Sequence, residues 1–353
     1  GRRYRRRIAI AQTRAKLLGQ PLPLQLYDYT PVNGTTTLAL SGNWRNRSGF
    51  FTFVTVGGNL NYKWYTNPRK RHELNLFNLE YNSVIRTTAA FDSITRANPA
   101  LYISMRDQLV PSISYIFTST SPATDRHPYW VQFLLKEAGN VTSGLYALTG
   151  RSFSETGKHL LRSPFSQFVK ATAEGHYTRV FSPRLSLAMR AFAGVVYAYG
   201  NSTQAPYGEQ FFVGGANSVR GFAVRTIGPG GYHTQRTKYS YIDQTGDVKL
   251  EANAELRTCL FGQLNGALFL DAGNVWLIRP DANRPESGLT LRNLKRIAVG
   301  TGVGLRYDLS FLVIRVDFGV GLHAPYDTGR QGFYNINRFK ESLVLHFAIG
   351  YPF

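Results

Sequence analysis

The sequence has 353 residues, of which 14% are aromatic, only 18% are charged and 34 are glycine. No stretch approaches the roughly 18 apolar residues that a membrane-spanning helix needs, so the composition favours an all-β chain and argues against a helical membrane protein. The formal net charge of +20 has three possible explanations: binding to nucleic acid, basic loops that face anionic lipid headgroups, or a basic wall of a barrel lumen.

Residues 1–34 form a basic segment to which no element is assigned. Arginine occupies positions 2, 3, 5, 6 and 7, and Pro21, Pro23 and Pro31 argue against a central strand. Because no secretion signal is recognisable at this end, we expect a mature or partial sequence.

From residue 35 onwards, apolar and polar residues alternate with the period of two that is typical of strands. The segments run for about 10 to 16 residues, whereas soluble strands centre near ~5 to 6 and membrane strands need ~9 to 11. In the segment 247–260, for example, an apolar face opposes a face that carries Glu251, Glu255 and Arg257. The twelve predicted strands are 35–46, 50–66, 72–87, 111–121, 128–138, 166–181, 184–200, 247–260, 264–278, 295–309, 311–324 and 339–353.

The polar faces mix Arg, Glu, Asp and Gly, as a wet and crowded lumen requires. Aromatic residues stand at the ends of several segments, where the interfacial girdles of a membrane barrel belong; they are Trp276, Tyr307, Tyr351 and Phe353. We therefore predict that residues 35–353 form part of an all-β, transmembrane, antiparallel up-and-down β-barrel. Residues 91–109 are predicted to be an irregular excursion from it.

The longest interruption between two well-patterned strands is the segment 201–246. Loops of this length in a compact domain are usually functional or disordered. Residues 211–222 read Phe-Phe-Val-Gly-Gly-Ala-Asn-Ser-Val-Arg-Gly-Phe, which is too apolar for a flexible tether. A packed surface Ω-loop is one interpretation. A loop tucked into the lumen accounts better for the lone Arg220, because a buried guanidinium needs carboxylate partners, and Glu251, Glu255 and Asp271 face inward on the next two strands.

The basic residues cluster in loops and at strand ends, at the N-terminus, at Arg69-Lys70-Arg71 and around Arg292-Lys295-Arg296. They do not form a groove interleaved with aromatic residues, as single-stranded nucleic acid would require. We therefore expect contacts with the lipid bilayer and its anionic headgroups, and no nucleic acid. Cys259 is the only cysteine and no two histidines have zinc-ligand spacing, so no metal or other cofactor is expected.

The loop and the strands that follow it resemble the BamA/TamA superfamily of outer-membrane assembly and translocation barrels. Residues 211–222 are similar to the signature loop of that family, and residues 268–276 (Leu-Phe-Leu-Asp-Ala-Gly-Asn-Val-Trp) and 253–257 (Asn-Ala-Glu-Leu-Arg) are similar to its next strands. The ending Gly350-Tyr351-Pro352-Phe353 resembles the terminal signal by which such barrels are themselves recognised for insertion. The later strands look more like the TamA/TamL branch than like BamA.

The resemblance implies specific roles for residues. Arg220 would anchor the loop, and Glu255, Phe269 and Asp271 would form the wall that receives it. The loop signature comprises Gly214, Gly215, Val219, Arg220, Gly221 and Phe222. The insertion signal and seam strand comprise Phe347, Ile349, Gly350, Tyr351 and Phe353. None of these residues is predicted to be catalytic.

The family barrel has sixteen strands preceded by periplasmic repeat domains, so the resemblance implies that the first strand visible here is the fifth. It also implies a location in the bacterial outer membrane. The function implied is assembly of nascent outer-membrane β-barrel proteins, by templating of strands at the seam between the first and last strands and with possible accessory subunits. The alternative is a dedicated pore for protein secretion or translocation.

An enzyme is not expected. The sequence has no Gly-x-Ser-x-Gly elbow, and the glycines at 300, 302 and 304 lack the GxGxxG spacing and lie within a strand pattern.

Overall fold

The computed structural model describes residues 34–47, 51–97, 102–103, 105–122, 125–233, 244–309 and 311–353. The basic segment 1–33 and the middle of the long loop, 234–243, lie outside the described residues. Within the described ranges, no helix has both the length and the apolar character needed to cross a membrane.

Fourteen strands are present in the described part of the chain, and twelve of them form one antiparallel sheet. The other two, β6 and β7, form a small separate hairpin. The strands are β1 (Thr35–Arg47), β2 (Phe51–Asn67), β3 (Lys70–Thr87), β4 (Gln108–Thr120), β5 (Tyr129–Ala138), β6 (His159–Leu160), β7 (Ser163–Pro164), β8 (Phe168–Ser182), β9 (Leu185–Ala198), β10 (Val248–Phe261), β11 (Leu264–Trp276), β12 (Ala298–Asp308), β13 (Val313–His323) and β14 (Leu343–Ile349). The twelve strands of the large sheet coincide with the twelve predicted ones, so the prediction of an all-β barrel fold is confirmed.

Strands that follow one another in the chain are neighbours in the large sheet, apart from β5 and β8, which pair directly across the small hairpin β6–β7. This is the order of an up-and-down barrel. The sheet is not closed: within the described residues, β1 and β14 are its two edges and no ladder joins them.

The two faces of the sheet differ in chemistry because side chains alternate along each strand. We call the face that contacts the loop 201–246 the lumen face; it carries Glu255 and Asp271, which are buried. The outer face carries apolar side chains such as Leu268 and Phe347, which are exposed. Apolar residues outside and charged residues inside are the pattern of a membrane barrel.

The connections at one end of the sheet are short, such as residues 183–184 and 262–263, whereas all those at the other end except the connection between β1 and β2 are long. The main apolar cluster lies where the long loop meets the lumen face and combines loop residues such as Val213, Val219 and Ile227 with strand residues such as Phe168 and Val275. The core of this protein therefore lies inside the sheet's curve and includes the loop.

The long connections contain elements that the alternation could not reveal. These are the helices α1 (Ala89–Ala97), α2 (Asn140–Leu148), α3 (Leu291–Leu294) and α4 (Phe339–Ser342). Helix α1 overlaps the stretch 91–109 that was predicted to be irregular. The helices interrupt the period of two, which is why strand patterning missed them.

The last predicted strand, 339–353, is shorter in the structure. It begins after α4 and ends at Ile349, because Gly350 has a φ of 83°, a left-handed conformation that leaves the strand region. The interfacial position predicted for Trp276 is also wrong: its ring is fully buried and its indole nitrogen donates to the carbonyl of Asn293 at 2.8 Å.

Candidate functional site

The loop 201–246 folds back onto the lumen face of the sheet. Two short β-bridges hold it in shape, Phe211 with Gly246 and Val213 with Ile227. Val213, Val219 and Ile227 are completely buried. The interpretation as a surface Ω-loop is therefore wrong, and the described part of the loop is an internal element of the barrel.

Arg220 lies at the centre of the contact between the loop and the wall. Its Nε donates to Oδ2 of Asp271 at 2.8 Å and its Nη2 donates to Oδ1 of the same residue at 2.9 Å. Its Nη1 donates to the carboxylate of Glu255. The ring centroid of Phe269 lies 3.7 Å from the guanidinium carbon. The structure thus brings together Arg220 and all three predicted wall residues.

The side chains of Arg220, Glu255 and Asp271 are 0% exposed. Because a buried charge without a partner is strongly destabilising, the folded state requires these ion pairs. Arginine suits this position because its planar fork can bind one carboxylate with two nitrogens and a second carboxylate with the third. Asn253 adds support, since its Nδ2 donates to Oδ1 of Asp271 at 2.9 Å and to the carbonyl of Ser218 at 3.0 Å.

The ion pairs continue along the wall beyond the predicted residues. Arg306 pairs with Glu255 at 2.9 Å and with Asp317 at 2.7 Å, and Arg257 pairs with Glu255 at 2.8 Å. Arg315, directly opposite Arg306 in the ladder, lies 3.4 Å from Asp317. The sequence pattern placed these arginines on the polar faces of their strands. It did not reveal that Arg306 and Arg257 share the carboxylate of Glu255 with Arg220.

A second anchor of the loop lies on a different part of the wall, at β5 and β8. Lys136 and Lys170 bind the two carboxylate oxygens of Glu209 at 2.5 and 2.9 Å, and Lys170 also donates to the carbonyl of Glu209 at 2.9 Å. Burial acts to raise the pKa of Glu209, but the two lysines outweigh it and the pKa is lowered. Sequence analysis missed this anchor.

A third contact lies between the first two and involves β9 and β10. Arg190 pairs with Glu174 at 2.6 Å and with the carboxylate of Glu251. Ser218 of the loop donates to the other oxygen of Glu251 at 2.5 Å. The loop is therefore held at three places along the curve of the sheet.

Glycine allows the loop to lie directly on the wall. A Cβ added to Gly221 would lie 2.8 Å from the Cα of Gly300 and from the carbonyl oxygen of Val320, so only glycine fits here. Gly214 and Gly215, with φ of 100° and 99°, shape the turn that precedes the anchor. Val219 and Phe222 are buried on either side of Arg220 and Gly221.

The residues predicted for the seam strand do not share one surface. Phe347 and Ile349 are each 73% exposed on the outer face, whereas Tyr351 and Phe353 lie near the lumen arginine Arg257. Gly350 is the point where the chain changes direction. Among the described residues, no group of three or more histidine, cysteine, aspartate or glutamate side chains could hold a metal ion.

Several known proteins are similar to this chain. Outer membrane protein assembly factor BamA of Neisseria meningitidis serogroup B is 32% identical over 115 residues, which are 31% of this chain and 14% of that protein. The structure of BamA from Haemophilus ducreyi lacking POTRA domains 1–3 has a TM-score of 0.57 at 12% identity and covers 90% of this chain and 58% of that one. The structure of CdiB from Escherichia coli has a TM-score of 0.51 at 16% identity and covers 90% of this chain and 49% of that one.

The two structural likenesses show the fold, and this chain spans at most 58% of the length of these relatives. The preference for the TamA/TamL branch over BamA stays a prediction. The Omp85 superfamily domain matches residues 138–353, more than half of the chain and including the whole loop and the residues that bind Arg220. The chain therefore belongs to the Omp85 superfamily of bacterial outer-membrane β-barrel proteins.

Proposed function

We propose that this protein assembles other outer-membrane β-barrel proteins, and that the edge strand β14 templates their incoming strands. Membership of the Omp85 superfamily and similarity to a protein named as an assembly factor support this role. The observation that supports the mechanism is that β14 is an edge of the sheet in the part of the chain that the structure describes.

Strand β14 pairs with β13 through residues 343–349. Within the described residues, its other side has no ladder. Such an edge presents a row of backbone donors and acceptors that another extended chain can pair with. In a bilayer those groups cannot be satisfied by water, which strengthens the drive to pair them.

The outer face of β14 suits a strand-pairing site inside a membrane. Leu345, Phe347 and Ile349 are 49%, 73% and 73% exposed on that face. A strand added beside them would continue the same alternation and place its own apolar side chains toward the lipid. The nascent partner is therefore a β-barrel protein with alternating strands. The exposed basic residues Arg69 and Lys70, at a short turn, suit contacts with anionic headgroups.

We further propose that the contact of Arg220 with Asp271 and Glu255 is structural and not catalytic. It holds the loop inside the barrel and gives the sheet a rigid inner support while its edge remains available.

The alternative function is a dedicated pore for one exported protein, because membership of the Omp85 superfamily supports translocation as well as assembly. In that case the polypeptide cargo would pass through the lumen and would not pair with β14. The two functions therefore place the cargo against different surfaces of the same barrel.

Site-specific photo-crosslinking separates the two functions. A photoreactive residue at Leu345 on the edge strand should form adducts with newly made outer-membrane β-barrel proteins. The matched control is Leu268, which is similarly exposed on the outer face at 56% against 49% but lies on β11, a strand paired on both sides. Equal adducts at the two positions, or adducts with one secreted protein only, would contradict templating at β14.

A further inference from the structure

The segment that follows β14 leaves the sheet and enters the lumen. The amide of Gly350 donates to the carbonyl of Val313 at 2.8 Å, which is the last contact with β13. The positive φ of Gly350, 83°, then directs the chain away from the edge. Pro352 cannot donate a ladder hydrogen bond, so the segment does not resume strand pairing.

Beyond Gly350, two aromatic residues reach a lumen arginine on β10. The ring centroid of Tyr351 lies 4.6 Å from the guanidinium carbon of Arg257, and that of Phe353 lies 5.5 Å from the same atom. Nη2 of Arg257 also donates to the carbonyl of Phe353 at 3.1 Å. One guanidinium group thus contacts two aromatic rings and one backbone acceptor of the segment.

Phe353 also lies beside the loop anchor. Its ring centroid is 6.0 Å from the guanidinium carbon of Arg220, and it meets the ring of His176 on β8 edge to face at 6.2 Å. Guanidinium groups attract aromatic faces most strongly where water is scarce. Arg220 is completely buried, so its vicinity meets that condition.

The edge strand touches the loop anchor at a second point. Nε2 of His346 donates to the backbone carbonyl of Arg220 at 3.0 Å. His346 lies in the middle of β14, whereas Phe353 lies beyond its end. The free edge is therefore connected to one loop residue through both the strand itself and the segment that follows it.

We propose that Arg257, Arg220 and His176 form a lumen site for an extended segment with two aromatic residues spaced one residue apart, and that Tyr351 and Phe353 of this chain fill it. Filling the site holds β14 against the sheet. Emptying the site removes the contacts of Tyr351 and Phe353, whereas the ladder from β14 to β13 and the His346 contact remain. By linkage, the docked loop stabilises the edge strand and the edge strand stabilises the docked loop.

The proposal goes beyond the proposed function, because it concerns how firmly β14 is held and not what pairs with it. Its test is therefore structural and needs no assembly activity. Amide hydrogen exchange reports local opening of a strand, and it can be followed separately for β14 and for β10 and β11 in one sample.

The main comparison uses two phenylalanines from the same stretch of chain. The full-length protein is reconstituted into phosphatidylethanolamine and phosphatidylglycerol vesicles, and amide exchange is measured for wild type, Phe353→Ala and Phe347→Ala. Phe347 is the matched control because it lies on β14 but faces outward, 73% exposed. We expect Phe353→Ala to speed exchange of residues 343–349 by about tenfold, with β10 and β11 unchanged and with little effect of Phe347→Ala.

Two further variants separate aromatic recognition from simple packing. Phe353→Tyr keeps an aromatic face and should retain slow exchange, whereas Phe353→Leu keeps an apolar side chain and should not. Arg257→Lys, which keeps the charge but loses the planar group, should speed exchange at β14 as Phe353→Ala does. The proposal is overturned if Phe353→Ala leaves β14 unchanged, if exchange rises equally throughout the sheet, or if leucine protects β14 as well as tyrosine does.

Discussion

Asp271 binds both the side chain and the backbone of Arg220, 51 residues earlier in the chain: Oδ2 accepts from the backbone nitrogen at 3.1 Å and from Nε at 2.8 Å, and Oδ1 accepts from Nη2 at 2.9 Å. One carboxylate therefore fixes the direction of the loop and the orientation of its arginine together. The loop is docked by a geometry that neither a charge alone nor a hydrogen-bond donor alone could reproduce.

Replacing Arg220 by alanine should destabilise the protein strongly. Asp271 would lose its arginine partner and Glu255 one of its partners in a site with no solvent exposure, and breaking such a buried pair by removing one partner costs about 3–5 kcal/mol. The free energy of unfolding, measured by denaturant titration in lipid vesicles, should fall by that amount. A variant as stable as wild type would contradict the role of Arg220 as the loop anchor.

Arg220→Lys should give an intermediate loss of stability. Lysine keeps the positive charge, but it cannot bind two oxygens of Asp271 and one of Glu255 in a planar arrangement. The control for both variants is Arg151→Ala, which removes an exposed arginine paired with Glu155 and should leave the unfolding transition unchanged. If lysine restored full stability, charge alone would explain the docking.

Glu209→Gln should weaken the second anchor of the loop. Hydrogen bonds to charged groups contribute about 1.5–3 kcal/mol each, and the neutral amide leaves Lys136 and Lys170 without their carboxylate. We expect a loss of about 2 kcal/mol in the free energy of unfolding at neutral pH. The contacts of Arg220 should stay intact, so slow amide exchange around Asp271 should persist in this variant.

The stability difference between wild type and Glu209→Gln should also depend on pH. The pKa of Glu209 is lowered in the folded protein from its ordinary value of 4.5. Its stabilisation is therefore complete above that value and is lost as the pH falls through the lower folded-state pKa. Unfolding curves from pH 7 to acid should show a constant difference that shrinks below about pH 4.5. A constant difference throughout would mean that the carboxylate charge is not what stabilises the loop.

Gly319→Ala should prevent close docking of the loop. An added Cβ would overlap the carbonyl oxygen of Arg220, and relieving such overlap costs about 1–3 kcal/mol or displaces the loop. Gly144→Ala is the matched control, since a Cβ there meets nothing within 4 Å. Unfolding of both variants can be compared directly. Equal stabilities would show that the loop does not lie as close to β13 as the structure has it.

The strands could be predicted from the sequence because each crosses the membrane with one face in lipid and the other in a polar lumen. This demand keeps the alternation regular over long stretches, as in 248–256, where every second residue is apolar. The same alternation assigned Glu255 and Asp271 to the inner face, and the isolation of Arg220 in an apolar loop pointed to a need for carboxylates. The structure brings these residues into contact.

Alternation shows which face a residue occupies, but not how far the loop travels along that face. For that reason Glu209, Lys136 and Lys170 could not be associated from the sequence, although both lysines lie at inward positions of their strands. The change in chain direction at Gly350 could not be predicted from the sequence either. Tyr351 and Phe353 continue the alternation of β14 in the sequence, whereas the left-handed backbone at Gly350 turns them into the lumen.

The most direct test of the assembly function is the composition of the outer membrane after depletion of this protein. If β14 templates the strands of nascent barrels, many unrelated β-barrel proteins should fall together in quantitative proteomics of purified outer membranes, before growth stops. If the outer-membrane composition is unchanged while a single secreted protein disappears from the medium, the protein is a dedicated translocation pore and assembly at β14 is contradicted.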